Sequence, residues 1–549
     1  MAQLLTRVAS ALREKPDIIP GTDVVYKDGA AGEITSPSDL VLIPKPTSDP
    51  HDPLFLFTFI TIMTPLSISP LSVIFEHEFG KTLPEVNLLF GVAAITLGYA
   101  NFLIVPAANV FGRRPVLIIC SIVCILANVW QGLVTSYPSF LGARVVSGLG
   151  AAANESLMPM VIADMLFLHQ RGRGMTFYFW AYFMGLFIGP IISGAIASQI
   201  NWRWFFWVCT ILQGASFIFI LVAHPETKYE RPPSASQTSS PAAPLRQVTE
   251  NKHTPSSQSS ETASPRTSST DRTAVNKGSR SPPPSSPQLS GDKRTGKPSR
   301  QQFGVLPIPR FNRQGGWASV VRDVVSPIQI LFYPIVLWAS LAMGFAANSL
   351  LVLNITQAQV FAAPPFLFTP DQIGLVNFAF VVGAAIALIT AGPFSDWVAL
   401  RRARSNNGVL EAEFRLPSLI PYVVISLVGM VITAVGYQRS WSWPAIVVGG
   451  YMLVGIQVVA IPSIVIAYAI DSYKTLPGEI LLSATIIKNS FGFAMIFFIN
   501  DWAARDGFLG PILLLMALTV GFTLPGMFLF LFCGKRFRRM TKDSKLHSL

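Results

Sequence analysis

The sequence predicts an all-α membrane protein in which twelve transmembrane helices form two six-helix halves. Three observations carry that prediction. The 549-residue chain is 51% hydrophobic and only 13% charged, with a mean hydropathy of +0.48, whereas a soluble protein has about 25% charged residues. Its apolar residues gather into twelve runs, each close to the ~20 residues that cross a hydrocarbon core. A long polar stretch divides those runs into two sets of six.

In chain order the candidate spans are 54–75, 87–109, 115–135, 139–163, 176–198, 204–223, 328–353, 373–394, 418–437, 444–470, 480–499 and 510–533. Residues 1–53 read as an N-terminal tail, 54–227 as the first half, 228–320 as a linker, 321–533 as the second half and 534–549 as a basic tail. The first 50 residues hold no signal-peptide-like apolar core, so span 1 itself is expected to direct insertion. The linker is dense in Ser, Pro, Thr and Arg ("SPRTSSTDRT", "SRSPPPSSP"). Such a composition cannot bury enough apolar surface to fold and predicts disorder.

Span 5 contains GLFIGPIISGAI, with Gly185, Gly189, Pro190 and Gly194 inside an uncharged run. In water Gly would cost roughly 1 kcal/mol and Pro about 3 kcal/mol there. In lipid the chain must stay helical, because no water can satisfy freed backbone groups. Small residues four apart then offer a flat face to another helix, and Pro190 supplies a point of flexure. That face is either a sliding surface between the halves or a static packing seam.

The charge distribution orients the chain. The net charge is +12, but its Lys and Arg lie in loops and tails, so the expected partner is a lipid bilayer and not nucleic acid. With the N-terminus cytoplasmic, the inner loops hold Arg113, Arg114, Arg171, Arg173, Arg401, Arg402, Arg404, Arg415 and Lys474. The outer loops keep Lys81, Arg203, Arg439 and Arg505. This asymmetry places both termini in the cytoplasm of a multi-pass protein of the cell membrane. Cys120, Cys124, Cys209 and Cys533 lie in or beside apolar runs, without metal-ligand spacing or a disulfide framework.

Loop motifs repeat between the halves. "VPAANVFGRRPV" places Gly112 at a tight turn before Arg113 and Arg114, and "GPFSDWVALRRAR" places Asp396, Arg401 and Arg402 at the corresponding point of the second half. With these loops the chain resembles the major facilitator superfamily, in particular its fungal twelve-span drug:H⁺ antiporter type. "RVVSGLGAA", with Arg144, Gly148 and Gly150, looks like that family's span-4 motif, which the resemblance links to proton transfer. The glycines of span 5 look like the motif typical of its exporters, and "ADMLFLHQRGRGM", with Asp164, Arg171 and Arg173, resembles the loop after span 4. The resemblance implies pseudo-symmetric halves and gating roles for Gly112, Arg113, Arg114, Asp164, Gly185, Gly189, Pro190, Gly194, Asp396, Arg401, Arg402 and Asp471. Asn109 stands where the family has Asp, so an acidic–basic latch is expected only in the second half, between Asp396 and the arginines near it.

Ionisable residues inside a span are functional candidates by default. Arg144 and Glu155 lie eleven residues apart in span 4, on one helical face and roughly 16 Å apart along the axis. They are the candidate proton-coupling pair, with Lys488 of span 11 as an alternative partner for Glu155. Candidate cavity residues are Asn154, Tyr182, Asn348, Asn377, Tyr468, Lys488 and Asn489, with Gln357 and Gln457 as further polar positions. Tyr178, Trp180, Tyr182 and Phe183 add aromatic surface suited to a largely apolar organic molecule, cationic ones included. Asn354 in "NIT" is a weak glycosylation candidate.

No phosphate-cradling GxxxxGKS loop is found, nor any nucleophile–base set, metal cluster or cofactor motif. The sequence therefore predicts a monomeric secondary transporter, not an enzyme, with protons and a small-molecule substrate as its partners. Its leading function is proton-coupled export of small organic molecules, secondary metabolites or drug-like compounds, by alternating access. Uptake of a small organic cation such as a polyamine is the alternative, because relatives with a loop like "RRARSNNGVLEAEFRLP" include such permeases. A transporter-like sensor is the reading from another class.

Overall fold

Each half starts its second span with the same capping device. Thr82 N–H donates to the Glu85 carboxylate at 3.0 Å, and Thr369 N–H donates to the Gln372 side-chain oxygen at 3.0 Å. Pro84 and Pro370 occupy the first turns that follow, where their missing N–H groups cost nothing. The computed structural model describes residues 22–24, 61, 69–165, 171–223, 317–473 and 476–541. All of these belong to one compact unit. Most of span 1, the linker residues 228–316, Lys474 and most of both tails lie outside the described residues.

Among the described residues, 11 helices are long and apolar enough to cross a membrane. Span 2 runs Leu83–Tyr99 and Asn101–Phe111, span 3 Arg113–Gly132, span 4 Tyr137–Met165, span 5 Arg171–Gln199 and span 6 Arg203–Ala223. In the second half, span 7 is Pro334–Phe361, span 8 Pro370–Val376 with Phe378–Ser405, and span 9 Ile420–Gln438. Span 10 comprises Ala445–Tyr451 and Met452–Ser472, span 11 is Pro477–Ile496 and span 12 is Leu509–Met540. Spans 4, 7 and 10 are the most enclosed, and spans 6 and 12 the least. The exposed Ile211, Ile218, Val222 and Phe532 of those two outer spans suit a lipid-facing surface.

Two boundaries differ from the hydropathy pattern. The apolar run at 328 belongs to a separate helix, Trp317–Leu331, and span 7 starts only at Pro334. Tyr333 is extended, as a residue before proline prefers. At the other end of the half, span 12 carries its helix through the basic residues to Met540. Arg538 is fully buried there and is ion-paired with Glu413 at 2.6 Å. A short antiparallel pairing joins β1 (Thr22–Val24) to β2 (Val409–Glu411), in the register Thr22↔Glu411 and Val24↔Val409.

Gly112 closes span 2 and opens span 3 with φ 99°. L side chains rarely adopt that conformation, so the turn read from "FGRRP" requires glycine. The halves meet most extensively where span 5 packs on span 8 and span 2 on span 11, and also where span 5 touches span 10 and span 4 touches span 11. We call the end carrying Gly112 and residues 401–415 the basic end, and the opposite one the far end.

Candidate functional site

Glu155 is the centre of the bundle's polar interior. Span 4 carries it as a side chain only 4% exposed. One carboxylate oxygen, Oε1, accepts from the Tyr182 hydroxyl of span 5 and the Lys488 ammonium of span 11. The other, Oε2, accepts from Asn489 Nδ2 at 2.8 Å. Lys488 also donates to the Tyr182 hydroxyl at 2.9 Å, and its Nζ stands 4.9 Å from the centre of the Tyr182 ring. A buried carboxylate is tolerated only when paired and hydrogen-bonded, and here both oxygens have donors. The Glu155–Lys488 pair joins the two halves.

Two cavities flank this cluster. Toward the far end, a small cavity is lined by Phe90, Leu186, Asn348, Leu351, Asn354 and Asn489, among others. Toward the basic end, a smaller one is lined by Glu155, Pro159, Tyr178, Met343, Leu481 and Thr485, among others. Tyr182, Phe183 and Lys488 line both. Asn348 supports the partition from span 7, donating to the Lys488 carbonyl at 3.0 Å. The arrangement sets mostly apolar walls around the ion pair, with Glu155 itself lining the cavity toward the basic end.

Arg144 and Glu155, a distance apart along span 4 as their spacing implies, have separate partners, and the cation beside Glu155 is Lys488. Arg144 is fully buried and donates to the Leu89 carbonyl at 3.0 Å and to Gln131 at 3.1 Å, tying span 4 to spans 2 and 3. Span 4 crosses its neighbours, so one nominal stripe meets spans 2 and 3 early and spans 5 and 11 later.

Other cavity candidates also part company. Tyr182, Asn348, Lys488 and Asn489 converge on the cavities. Asn154 instead offers its carbonyl to Tyr178, at 3.1 Å. Asn377 sits at the joint of span 8 and donates back to Gly374 at 3.1 Å. Tyr468 packs on Trp338, with ring centres 6.1 Å apart, in the region of Glu413 and Arg538. Asn354 is 1% exposed and lines the far-side cavity, so the "NIT" sequon is a buried span position unfit for a glycan. Gln457 joins span 10 to span 7 through Ser349, at 2.6 Å.

At the basic end a second cluster ties the halves together. Arg415 donates to Asp396 at 2.5 Å and to Asp471 at 2.7 Å, all three buried. The other oxygen of Asp396 accepts the backbone N–H of Arg173, at the start of span 5, at 3.1 Å. Thr176 and Ser463 meet across the same seam at 3.1 Å. Asp396 thus has an arginine partner in the second half, and the cation is Arg415. Arg401 and Arg402 point outward, and Arg401 stacks over Trp397 at 5.1 Å. Loop residues 405–414 return the chain to Asp396, a path no local spacing announces. In the first half Arg113 donates to Asn109 at 3.3 Å and to Met160 sulfur at 3.0 Å, and Arg114 donates to the Leu221 carbonyl at 2.8 Å. The side chains of Asp164 and Arg171 lie outside the described residues.

Span 5's small residues lie at the same seam between halves. A Cβ on Gly194 would stand 2.6 Å from the Pro370 carbonyl oxygen, and one on Gly374 would stand 2.8 Å from that of Pro190. Gly185 and Gly189 are buried. Span 5 stays helical through Pro190.

Comparison with known proteins then settles the family, since the model for the Major Facilitator Superfamily matches residues 54–490. The chain belongs to this superfamily. Protein HOL1 of Saccharomyces cerevisiae is 27% identical, with 98% of each chain covered. An Aspergillus flavus protein named "Probable efflux pump mfs2" is 23% identical over 82% of this chain and 93% of its own. Among solved structures, the proton:xylose symporter XylE superposes with a TM-score of 0.53 at 14% identity, covering 87% of this chain and 93% of that one. The last likeness shows the fold. As a superfamily member the chain is a multi-pass membrane transporter and not an enzyme, and its twelve-helix architecture is that of the family.

Proposed function

We propose that the protein is a proton-coupled exporter of small organic molecules, of the drug:H⁺ antiporter type, working by alternating access at the cell membrane with both termini cytoplasmic. One observation carries the reading: Glu155 is a buried carboxyl ion-paired with Lys488 of the other half, and that pair has a cavity on each side of it. A group so placed exchanges a proton or a substrate with each side in turn, which is what coupling requires. Span 5's seam with span 8 supplies the moving surface, and the Asp396–Arg415–Asp471 cluster holds the basic end shut. The excess of Lys and Arg at that end supports its being cytoplasmic. Export is favoured by the exporter-like motif of span 5 and by the name of the relative mfs2.

Uptake of an organic cation is the second reading. The carboxylate beside an aromatic ring at Glu155 and Tyr182 favours a cationic substrate under either direction.

The test uses protein reconstituted into vesicles with an entrapped pH indicator and an imposed pH gradient. Adding a transported compound should collapse the gradient in the wild type and leave it intact in Glu155→Gln. Substrate-driven proton flow in Glu155→Gln equal to that of the wild type would overturn the assignment. In cells, depletion of a labelled compound supports export, and accumulation supports uptake.

A further inference from the structure

We propose that the Lys488 ammonium is a tethered stand-in for the substrate. It neutralises Glu155 while the site is empty, and an organic primary or secondary amine takes its place when the site is filled. The proposal rests on Glu155 being the carboxyl that substrate and proton share.

The position of Lys488 Nζ is what an amine ligand would need. It has a carboxylate oxygen, a phenol oxygen at 2.9 Å and an aromatic ring centred 4.9 Å away. Asn489 donates to the other carboxylate oxygen at 2.8 Å and fixes its direction. The lysine reaches this position on a flexible four-carbon stem, and Lys488 lines both cavities. A displaced ammonium can thus turn toward Asn348 and Asn354 in the far-side cavity while an incoming amine takes its position.

The pair also joins spans of different halves, 4 and 11. A ligand that takes Glu155 from Lys488 therefore loosens the hold of one half on the other. When nothing is bound, the lysine performs the opposite service. A carboxylate buried without a partner is strongly disfavoured, and Arg144 is engaged elsewhere with Leu89 and Gln131. With Lys488 in place the emptied carrier has no bare charge at its centre until a proton takes Glu155 for the return. Lys488 therefore selects for amines and permits net transport, beyond closing a structural pair.

The test compares binding with two modes of transport for the full-length protein, using tritiated 1,4-diaminobutane as the probe and unlabelled 1,4-butanediol as the neutral competitor. In Lys488→Met the tethered competitor is gone. Amine binding should tighten at least tenfold, and 1,4-butanediol should not compete. Exchange of amine for amine should persist, while net movement into amine-free solution should fall at least tenfold relative to exchange. Unchanged or weaker binding in Lys488→Met, or no amine binding in either protein, overturns the proposal. Glu155→Gln separates the two levels. If it loses binding while Lys488→Met binds as the wild type does, the shared carboxyl stands and the stand-in falls. If Glu155→Gln binds as the wild type does, both fall. Should Lys488→Met aggregate, Lys488→Gln replaces it. Loss of folding in both variants would make the pair a requirement of the fold and overturn the proposal.

Discussion

Arg415 holds Asp396 and Asp471 at once, and Asp396 in turn holds the start of span 5 through the Arg173 backbone. Removing the cation leaves two buried carboxylates facing each other, whereas neutralising one carboxylate leaves Arg415 paired with the other. Breaking a buried pair from one side costs about 3–5 kcal/mol. Arg415→Gln should therefore lower the midpoint of thermal unfolding more than Asp396→Asn does, as measured by fluorescence scanning of purified protein. Asp396→Asn should mainly slow turnover, because it weakens the tie that favours one access state, with substrate affinity changed less than threefold. A collapse of binding with normal turnover of bound substrate would assign Asp396 to the substrate site instead. Glu155 makes the contrasting prediction. Glu155→Gln removes the ion pair with Lys488 and the exchangeable proton together, so transport driven by a pH gradient should be lost. Exchange of a neutral substrate, which needs no net proton movement, should survive in part, whereas exchange of an amine should be lost with its carboxylate.

At the scale of the helices, the distinction is between glycines that touch backbone and glycines that touch nothing. A Cβ on Gly194 meets the Pro370 carbonyl oxygen at 2.6 Å, and neither backbone can step aside without moving a span. Gly194→Ala should insert and fold yet transport at least tenfold more slowly, as read by initial rates at matched surface expression. Gly214, also in a span, has nothing within 4 Å of such a Cβ, so Gly214→Ala should transport normally. Equal rates for the two variants would mean that the span 5–span 8 seam does not move. These helices were legible from hydropathy because lipid imposes length and apolarity on each span separately. The Gly112 turn was legible because positive φ selects one residue type. Pairings across the bundle were not. Arg144 and Glu155 share a stripe in the sequence, but the crossing of span 4 over its neighbours gives them different partners. Which arginine pairs with Asp396 was not legible for a related reason: Arg401 is nearer to it in sequence, yet Arg415 is delivered to it by a returning loop.

For the whole molecule, alternating access requires that the halves part at one end while they close at the other. Here the halves touch at three levels. At the basic end, Thr176 meets Ser463 and Arg173 meets Asp396. In the middle, Glu155 meets Lys488 and Asn489. At the far end, Gly194 meets Pro370. Opening toward the basic end must break the first set, and the Thr176–Ser463 contact is the one to lock, because its side-chain oxygens stand only 3.1 Å apart. Thr176→Cys combined with Ser463→Cys, in a background where Cys120, Cys124, Cys209 and Cys533 are replaced, would place two thiols across the seam. Oxidation should cut transport to under a tenth of the reduced rate, and reduction should restore it. Each single-cysteine protein should be indifferent to oxidant. The locked protein should still bind substrate added at the far end, because the disulfide lies on span 5 and span 10 away from Glu155. Full transport by a protein shown to be cross-linked would mean that the halves do not separate at the basic end, and substrate would need a path other than the seam between spans 5 and 10.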